Sequence, residues 1–396
     1  MKTICMLSDM HPLFDDRIYW KEAISLKNHG YNLIHIGFDK EARDFISQEG
    51  IRIIAIKKRV FSNNIFVHKL IKILSFDDPH RAMMKKIVEV RADAYHIHDL
   101  KVNKLGNRIR KLPWKPKIIY DIHEDYGDII RYYHQKKRIK KLVLFAYAFW
   151  IDFLEKKRTK NYDYYIHVVP QILEKFQQIS PAVPSEIIYN FTNLTPLSSR
   201  ETIEKKYDLI YSGLINRQRG PFEIISAIEI VKKSKPDIKL LFLGRYESKK
   251  LEDSVKQMAS SKNLEKNILF KDAVSYNNVD EFYKEAKIGL AVFHPIKIFY
   301  YSVQIKTFEY MLYGLPLICS NFGNVNKFVT ESNSGIPVDP MNPKEIANAI
   351  IKLMDDSQLY QQMSSNGIKA AQTRYNWKSE EIKLVNLYKN LLSVEH

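Results

Sequence analysis

Short runs of Ile, Leu, Val and Tyr recur along the chain and alternate with longer amphipathic stretches. The runs are almost continuously apolar, which is typical of strands that are covered on both faces. Strands that alternate with helices predict parallel sheets joined by right-handed crossover connections. The pattern predicts strands at residues 3–7, 32–36, 51–56, 94–98, 117–122, 164–169, 186–189, 207–211, 238–243, 267–270, 288–293 and 315–320.

These strands are too many for one open sheet of ordinary size. A polar segment, residues 191–206, contains Pro196 and precedes a new strand, so it predicts a domain boundary. We therefore predict an α/β protein with two doubly wound domains, residues 1–195 and 196–375. The last residues, 376–396, have the apolar spacing of a helix that could pack across either domain.

The charge of the chain points to a polyanionic partner. The 396 residues contain 62 Lys and Arg against 45 Asp and Glu, which gives a formal net charge of +17. Nucleic acid, an anionic membrane surface and a phosphorylated ligand would each suit this charge. The sequence has no helix-turn-helix, zinc or aromatic-basic RNA motif, so we expect no nucleic-acid partner.

The two cysteines, Cys5 and Cys319, cannot form a disulfide framework or a zinc site, which favours a reducing compartment. The apolar run before Ser8 is too short for a signal peptide and predicts a first strand instead. The longest apolar stretch, residues 142–151, is about half the ~20 residues that a membrane span needs. We expect a cytoplasmic protein, either soluble or peripheral on the inner face of the cell membrane.

The loop that follows the strand at 207–211 has features of an anion site. It runs from Gly213 to Gly220, carries Arg219, and precedes Pro221 at the start of a predicted helix. Helix N-termini bind anions, and the planar guanidinium of an arginine can pair with a diphosphate. Taken alone the pattern is weak, because an ordinary strand–helix turn has the same features.

The segment 294–316 is more specific. A polar loop with Ser302 leads into a predicted helix that carries Lys306 and Glu309 and ends at Gly314. Lys306 and Glu309 are three residues apart and share one helix face, where a surface ion pair would be the simplest interpretation. However, Phe308, Met311 and Leu312 can supply the buried face, so the two charged residues can instead meet a phosphate and sugar hydroxyls.

These residues resemble the donor site of the family 4 (GT4) retaining glycosyltransferases. That family has the GT-B fold, in which two Rossmann-like domains face each other across a cleft. Three motifs in the first half of this chain are similar to the family as well. They are His11-Pro12-x-x-Asp15-x-Arg17, the segment 92–99 that ends in His98-Asp99, and the segment 119–125 that contains His123.

The resemblance implies a role for each matching residue. The donor site would comprise Gly213, Arg219, Tyr301, Ser302, Lys306 and Glu309. His123 and Glu309 would be catalytic, while His11, Asp15, Arg17, His98 and Asp99 would lie on the acceptor side. The sequence shows no Asp-x-Asp motif or His/Cys cluster at a loop end, so we expect cationic side chains to take the place of a metal and no cofactor to be needed.

The function implied is transfer of a sugar from a UDP- or GDP-linked donor to a glycan or lipid-linked acceptor in bacterial surface polysaccharide synthesis, with retention of configuration. One departure supports an alternative. Tyr301 stands eight residues before Glu309, where the family often has another Glu that handles the donor sugar. A phenol is neutral at pH 7, so the alternative is a catalytically degenerate GT-B protein that binds nucleotide or glycan without turnover.

Residues 131–160 form a basic, apolar segment with ten Lys or Arg and two acids. Its apolar residues follow helical spacing, and a basic, aromatic-rich helix suits the surface of an anionic membrane, where a lipid-linked acceptor would be found. A buried helix of the N-terminal domain with a solvated basic end explains the pattern equally well. The sequence leaves both interpretations open.

Overall fold

We describe the protein from a computed structural model. It describes residues 1–58, 79–98, 100–133, 138–160, 162–194, 204–275 and 278–393, although the side chains of residues 79, 132–133 and 138–141 are left out. The chain forms two compact units, one of Met1–Asn190 with Glu380–His396 and one of Phe191–Ser379.

The first unit contains an eight-stranded sheet with the order β3-β4-β2-β1-β5-β6-β7-β8. All neighbouring strands are parallel except β3, which is antiparallel to β4. The central strands are buried on both faces, which explains their continuous apolar sequence. The strands are β1 Thr3–Leu7, β2 Asn32–Asp39, β3 Arg43–Ile46, β4 Arg52–Lys57, β5 Ala94–His98, β6 Lys117–Ile122, β7 Tyr164–His167 and β8 Ser185–Ile187.

The second unit contains a six-stranded, fully parallel sheet with the order β11-β10-β9-β12-β13-β14. Its hydrophobic core lies between the sheet and the helices that connect its strands. The strands are β9 Tyr207–Ser212, β10 Leu240–Leu243, β11 Ile268–Lys271, β12 Ala286–Ala291, β13 Leu317–Ser320 and β14 Gly335–Val338.

Helices alternate with the strands in both units. A π-helical segment, Asp16–Ala23, continues into α1 Ile24–Asn28, and a single 3-10 turn spans Arg217–Arg219. The other helices are α2 Pro79–Val90, α3 Leu100–Asn103, α4 Gly106–Ile109, α5 Tyr126–Tyr133, α6 Arg138–Thr159, α7 Pro170–Ile179, α8 Pro221–Val231, α9 Lys249–Ser261, α10 Val279–Lys284, α11 Lys297–Tyr301, α12 Ile305–Leu312, α13 Gly323–Ser332, α14 Pro343–Asp355, α15 Ser357–Thr373 and α16 Trp377–Ser393.

Every predicted strand overlaps a strand of the structure, but the sequence analysis missed two edge strands. β3 is antiparallel, largely exposed and carries Arg43 and Asp44, so it lacks an apolar run. β14 is only four residues long and contains Pro337, a residue that is confined to the edges of sheets. Apolar patterning therefore found the strands that build the two cores and missed those at the rims.

The limits of the two units differ by a few residues from the predicted domains. The predicted boundary lay between residues 195 and 196, whereas the compact units divide between Asn190 and Phe191. We treated residues 376–396 as a separate helix, and α16 does begin at Trp377. From Glu380 onward this helix belongs to the first unit, where the Glu380 side chain accepts a hydrogen bond of 2.9 Å from the backbone N–H of Tyr189.

Two glycines of the second unit allow neighbouring groups to pack closely against the backbone of its sheet. A Cβ atom at Gly289 of β12 would lie 2.3 Å from the ring of Tyr310, so only glycine lets this tyrosine lie against the strand. A Cβ atom at Gly244 would lie 1.8 Å from the carbonyl oxygen of Gly213. The loops that follow β9 and β10 can therefore approach each other closely.

Helix α6 presents a wide apolar face to solvent. Ala148, Ile151, Glu155 and Thr159 form its buried stripe. The opposite face exposes seven large apolar side chains, so the alternative of a helix buried all round is wrong for them. They are Leu142, Val143, Phe145, Tyr147, Phe149, Trp150 and Phe153. The basic side chains of Lys140 and Lys141, which contributed to the membrane interpretation, lie outside the described residues.

Within the described residues, no helix is both long enough and apolar enough to span a lipid bilayer.

Candidate active site

A cluster of cationic and polar side chains lies at the carboxyl end of the sheet in the second unit. Lys306, on the first turn of α12, donates a hydrogen bond of 2.7 Å from Nζ to the carbonyl oxygen of Ser212, the last residue of β9. The carboxyl ends of parallel strands are where open α/β sheets bind their ligands. Lys306 therefore lies at the edge of the sheet where a ligand of this fold would bind.

The ammonium of Lys306 has little access to water. Its Nζ lies 3.7 Å from the ring centroid of Tyr211 and 5.3 Å from that of Phe293. Burial and the nearby positive charge of Arg219 hold the pKa of Lys306 well below its usual range, and Glu309 offsets only part of this effect. A phosphate beside this ammonium would supply the negative charge that the pocket lacks.

Arg219 is the neighbour of Lys306. Its guanidinium carbon lies 6.0 Å from the ring centroid of Phe293 and 5.8 Å from that of Phe299. Three buried polar atoms of this loop have no hydrogen-bond partner among the described residues: Nε of Arg219, Oδ1 of Asn216 and Oε1 of Gln218. Buried polar groups are usually hydrogen-bonded, so these three atoms are available to a ligand or to water.

The backbone of the same loop supports anion binding. Gly213 is exposed and has a φ of +104°, which turns the chain sharply after β9. The loop closes with the 3-10 turn, and Pro221 then begins the eleven-residue helix α8. The positive end of that helix dipole lies beside Arg219 in the sequence.

Glu309 is buried on the same helix as Lys306. Its Oε2 accepts a hydrogen bond of 2.7 Å from the hydroxyl of Tyr283, which lies 3.0 Å from Oγ of Ser212. Burial and the charge of Glu309 raise the pKa of Tyr283 well above its usual range, so the phenol stays a donor. Because both Lys306 and Glu309 are buried, the simpler interpretation of a surface ion pair is wrong.

Tyr301 and Ser302 lie at the end of α11 and are half-buried. The backbone carbonyl of Tyr301 accepts a hydrogen bond from Asn324, and its ring lies 5.8 Å from Nζ of Lys297. Oγ of Ser302 accepts a hydrogen bond of 2.8 Å from Gln304. Within the described part of the chain, the hydrogen bonds and ring contacts of these two residues do not include Lys306 or Arg219.

The sequence analysis did not single out His294, which also belongs to this cluster. Its backbone N–H donates 2.8 Å to the carbonyl of Gln218, which ties the Arg219 loop to the strand β12. Its Nε2 lies 3.1 Å from Oε2 of Glu223 in α8. Burial would raise the pKa of Glu223, but the hydrogen bond with His294 holds it below its usual value. The available signal was a histidine directly after the predicted strand at residues 288–293.

A second cluster lies in the first unit, at the carboxyl ends of the adjacent strands β1, β5 and β6. Partly exposed His123 follows β6, and its Nε2 lies 3.0 Å from Oδ2 of Asp121. The ring of His98 packs against that of His123 with centroids 5.5 Å apart, and the ring of His11 does so at 5.1 Å. Three of the residues predicted from separate motifs are therefore neighbours.

Asp15 and Arg17 complete this cluster from the start of the π-helical segment. Asp15 caps that segment by accepting from the backbone N–H groups of Arg17 and Ile18, and its Oδ2 lies 3.1 Å from Nδ1 of His11. Burial would raise the pKa of Asp15, but the hydrogen bonds from His11 and Ile18 hold it well below its usual value. Predicted Asp99 lies outside the described residues.

Arg17 and His98 differ from the expectation that they meet an acceptor. Both are buried, and the Arg17 guanidinium forms two hydrogen bonds with Asp121, Nε to Oδ2 at 3.0 Å and Nη2 to Oδ1 at 3.2 Å. Nη1 of Arg17 also donates 3.0 Å to the carbonyl of Ile188. Arg17 turns inward because the ionised Asp121 lies beneath the loop, a contact between residues 104 positions apart that sequence spacing cannot reveal.

Four potential metal ligands lie close together within β5, β6 and the π-helical segment, rather than at a loop end. Glu22, His96, His98 and Asp121 place one potential metal-ligand atom each within 4.8 Å of one another, and all four are buried. However, Nε of Arg17 lies 2.9 Å from Glu22 and 3.0 Å from Asp121. The guanidinium of Arg17 already lies against both of these side chains and takes the place of a cation, so we assign no metal to this cluster.

The fold is that of known GT-B enzymes. Sucrose-phosphate synthase from Thermosynechococcus elongatus superposes with a TM-score of 0.74 at 15% identity, covering all of both chains. Anabaena HepE in complex with UDP-glucose superposes with a TM-score of 0.72 at 13% identity, covering 98% of this chain and 100% of that one. The predicted architecture, two Rossmann-like domains of the GT-B type, is confirmed.

Sequence comparisons show which GT-B proteins this chain resembles. Residues 197–370 match the family model described as glycosyl transferases group 1. The D-inositol 3-phosphate glycosyltransferase of Corynebacterium glutamicum is 24% identical over 189 residues, which cover 47% of this chain and 44% of that protein. The predicted resemblance to glycosyltransferases is thereby confirmed. The chain spans about half the length of the curated relatives that it matches.

Proposed function

We propose that this chain transfers a sugar from a nucleoside-diphosphate sugar to a glycan or lipid-linked acceptor. The observation that carries the proposal is the pair of cations, Lys306 and Arg219, beside buried polar atoms that have no partner among the described residues. Breaking a nucleotide–sugar bond leaves negative charge on the diphosphate, and fixed cations with a helix N-terminus stabilise it. The similar fold of HepE with bound UDP-glucose favours a UDP-linked donor, with a GDP-linked donor as the second choice.

We propose that transfer retains the anomeric configuration, with the acceptor attacking from the face that the diphosphate leaves. The family resemblance supports this stereochemistry, and no carboxylate of the sequence is required as a covalent nucleophile. His123 would contact the reacting sugar, and Glu309 would hold the donor through its ribose or sugar hydroxyls. Nuclear magnetic resonance of the product formed from an α-linked donor tests the stereochemistry, because retention yields the α-glycoside.

We propose that the reaction needs no metal. Lys306 and Arg219 supply the positive charge that a divalent cation would bring to a diphosphate. Donor cleavage should therefore proceed at the same rate in EDTA as in Mg²⁺. A requirement for added metal would contradict this part of the proposal.

We propose that the acceptor is met at an anionic membrane, as part of bacterial surface polysaccharide synthesis. Helix α6 exposes Phe149, Trp150 and Phe153, and Lys156 and Lys157 follow in its last turn. Aromatic side chains beside basic ones suit the membrane interface, where lipid-linked glycans are anchored. The protein would then be cytoplasmic and peripheral on the inner membrane face.

The main test is release of nucleoside diphosphate from a panel of UDP-, GDP- and CMP-sugars with a lipid-linked acceptor. Glu309→Ala should abolish release, whereas Lys327→Ala, a change at an exposed lysine of the same unit, should not. Tyr301 favours the second candidate, a degenerate protein that binds nucleotide without turnover. Saturable binding without release from any donor would support that candidate and refute the enzyme.

A further inference from the structure

Asp121 links a buried arginine to the proposed catalytic histidine. Its Oδ2 receives Nε of Arg17 at 3.0 Å and Nε2 of His123 at 3.0 Å, and its Oδ1 receives Nη2 of Arg17 at 3.2 Å. Both carboxylate oxygens are therefore held by a planar, two-point pairing with the guanidinium. His98 adds a third contact, with its Nδ1 3.5 Å from Oδ2 of Asp121.

In this cluster Arg17 carries the positive charge and Asp121 carries the negative charge. Burial would raise the pKa of Asp121, but Arg17 and His123 hold it well below its usual range. Burial would lower the pKa of Arg17, but Asp121 and Glu22 raise it above its usual value. Burial and the charge of Asp121 raise the pKa of Glu22 well above its usual range, although Arg17 acts to lower it. Of the two carboxyl groups near the guanidinium, burial favours the neutral form of Glu22, whereas Arg17 favours the charged form of Asp121.

An ionised carboxylate only accepts hydrogen bonds, which fixes the proton on His123. Nε2 of His123 lies 3.0 Å from Oδ2 of Asp121 and 3.4 Å from Nδ1 of His98, and the shorter contact, with an ionised carboxylate, places the hydrogen on Nε2. In a neutral imidazole the other nitrogen, Nδ1, then carries the lone pair. The rings of His11 and His98 pack edge-to-face against His123 and restrict its rotation.

We propose that Arg17 is a positioning residue. It binds both oxygens of Asp121 and so fixes His123 as the Nε2–H tautomer. Nδ1 of His123 is then the nitrogen that accepts a hydrogen bond from the substrate. The inference rests on the proposed glycosyl transfer for its effect on rate, but the tautomer itself is a property of the first unit. Arg17 needs no contact with donor or acceptor to act in this way, which agrees with its burial. The presence of Arg17 in a motif predicted for the acceptor side is then explained by its effect on His123.

The direct test is long-range ¹H–¹⁵N correlation spectroscopy of the full chain, with His123 assigned by comparison with His123→Gln. The wild type should show an Nε2-protonated, Nδ1-unprotonated ring for His123. An Nδ1–H tautomer in the wild type would overturn the proposal, whether or not any variant folds and whether or not the protein turns over a donor. Absence of turnover with the expected tautomer would refute only the glycosyltransferase function.

Kinetics then test the role of Arg17. Arg17→Gln should lower kcat by about 10²-fold, because a small misplacement of a group that contacts the reacting sugar can cost that much. The KM for the donor should stay within about twofold, since donor contacts lie on other residues, and Arg17→Lys should fall between Gln and wild type. Arg17→Gln should also populate both tautomers of His123.

A matched control is available at the surface. Arg52 pairs with Asp44 in the same two-point geometry, at 2.9 Å and 2.8 Å, but both side chains are exposed. Arg52→Gln should leave kcat and the His123 tautomer unchanged. A folded Arg17→Gln protein with the kcat and the His123 tautomer of the wild type would overturn the proposal. A loss of rate that is fully explained by the fraction of unfolded protein would overturn it as well.

Discussion

Lys306 and Arg219 place their cationic groups against the same aromatic ring, that of Phe293. Nζ of Lys306 lies 5.3 Å from the ring centroid, and the guanidinium carbon of Arg219 lies 6.0 Å from it. Two cations held so close together repel each other, and burial of one of them adds a further cost. A bound anion would offset both costs, and a diphosphate carries enough charge and oxygens to contact both side chains.

The first prediction concerns the stability cost of Lys306. Because burial and Arg219 hold the pKa of Lys306 below its usual range, its charge destabilises the folded state at neutral pH. Lys306→Met removes the charge and fills a similar volume, so the Tm of the ligand-free protein should stay the same or rise. Each kcal/mol of relieved repulsion should add about 2–4 °C for a unit of this size.

Thermal unfolding without nucleotide measures this effect, with Lys327→Met as the control at an exposed lysine of the same unit. A marked fall in the Tm of Lys306→Met alone would show that the lysine serves the fold rather than a ligand.

The second prediction concerns protons taken up on binding. Burial and Arg219 lower the pKa of Lys306, and a bound phosphate favours the charged form and so raises this pKa again. Nucleoside-diphosphate binding should therefore be accompanied by proton uptake, and it should weaken as pH rises through the pKa of Lys306. Calorimetric titration in two buffers with different ionisation enthalpies measures the number of protons. Equal uptake by the wild type and Lys306→Met would assign it to another group.

The third prediction tests a buried carboxyl group of the first unit, at Glu155. Burial raises its pKa to about 7, although a hydrogen bond of 2.6 Å from Tyr120 acts against this. A raised folded pKa stabilises the protein below the usual pKa of about 4.3, and this contribution is lost as pH rises to about 7. Glu155→Gln keeps an acceptor for Tyr120 and cannot ionise.

Above pH 7, Glu155→Gln should therefore be more stable than the wild type, by up to about 3 kcal/mol from the size of the pKa change. The two proteins should converge near pH 4. Unfolding by denaturant at pH 5 and pH 8 measures the difference, and a difference that does not grow with pH would contradict the assignment.

The fourth prediction concerns the apolar face of α6. Replacing Phe149, Trp150 and Phe153 by Ser should release the protein from liposomes that contain anionic lipid, because their apolar surface would no longer be buried in the interface. Flotation on a density gradient measures the bound fraction. Leu269→Ser, at an exposed leucine of the second unit, is the control. Equal flotation of the triple variant and the wild type would refute the membrane proposal.

Local sequence patterns placed Lys306, Glu309 and Arg219 at one edge of the sheet because each of them lies at or just after the end of a predicted strand or helix. Lys306 and Glu309 are one helical turn apart, and Arg219 lies in the loop directly after a strand. The position of each element end was enough to bring them to one edge of the sheet. Local patterns could not show how deeply these side chains are buried. Lys306 and Glu309, for which a surface ion pair was the simplest interpretation, are both buried.

The first-unit cluster was harder to predict. Its motifs were visible, but the pairing of Arg17 with Asp121 joins residues 104 positions apart, and Glu22 was not singled out at all. Their contact depends on which strands are neighbours in the sheet and on a helix that turns its arginine inward. Charge pairing in a core is a tertiary property, and apolar periodicity carries no information about it.

The central claim is that Arg219 and Lys306 hold the diphosphate of a nucleotide donor. The most direct test is calorimetric titration of the full chain with UDP, GDP and the corresponding monophosphates in EDTA. We predict that at least one diphosphate binds more tightly than its monophosphate, and that Arg219→Gln and Lys306→Met each weaken it by about 10- to 100-fold, as expected when a charge-assisted hydrogen bond is lost. Failure of either diphosphate to bind, or unchanged affinity in both variants, would contradict the account.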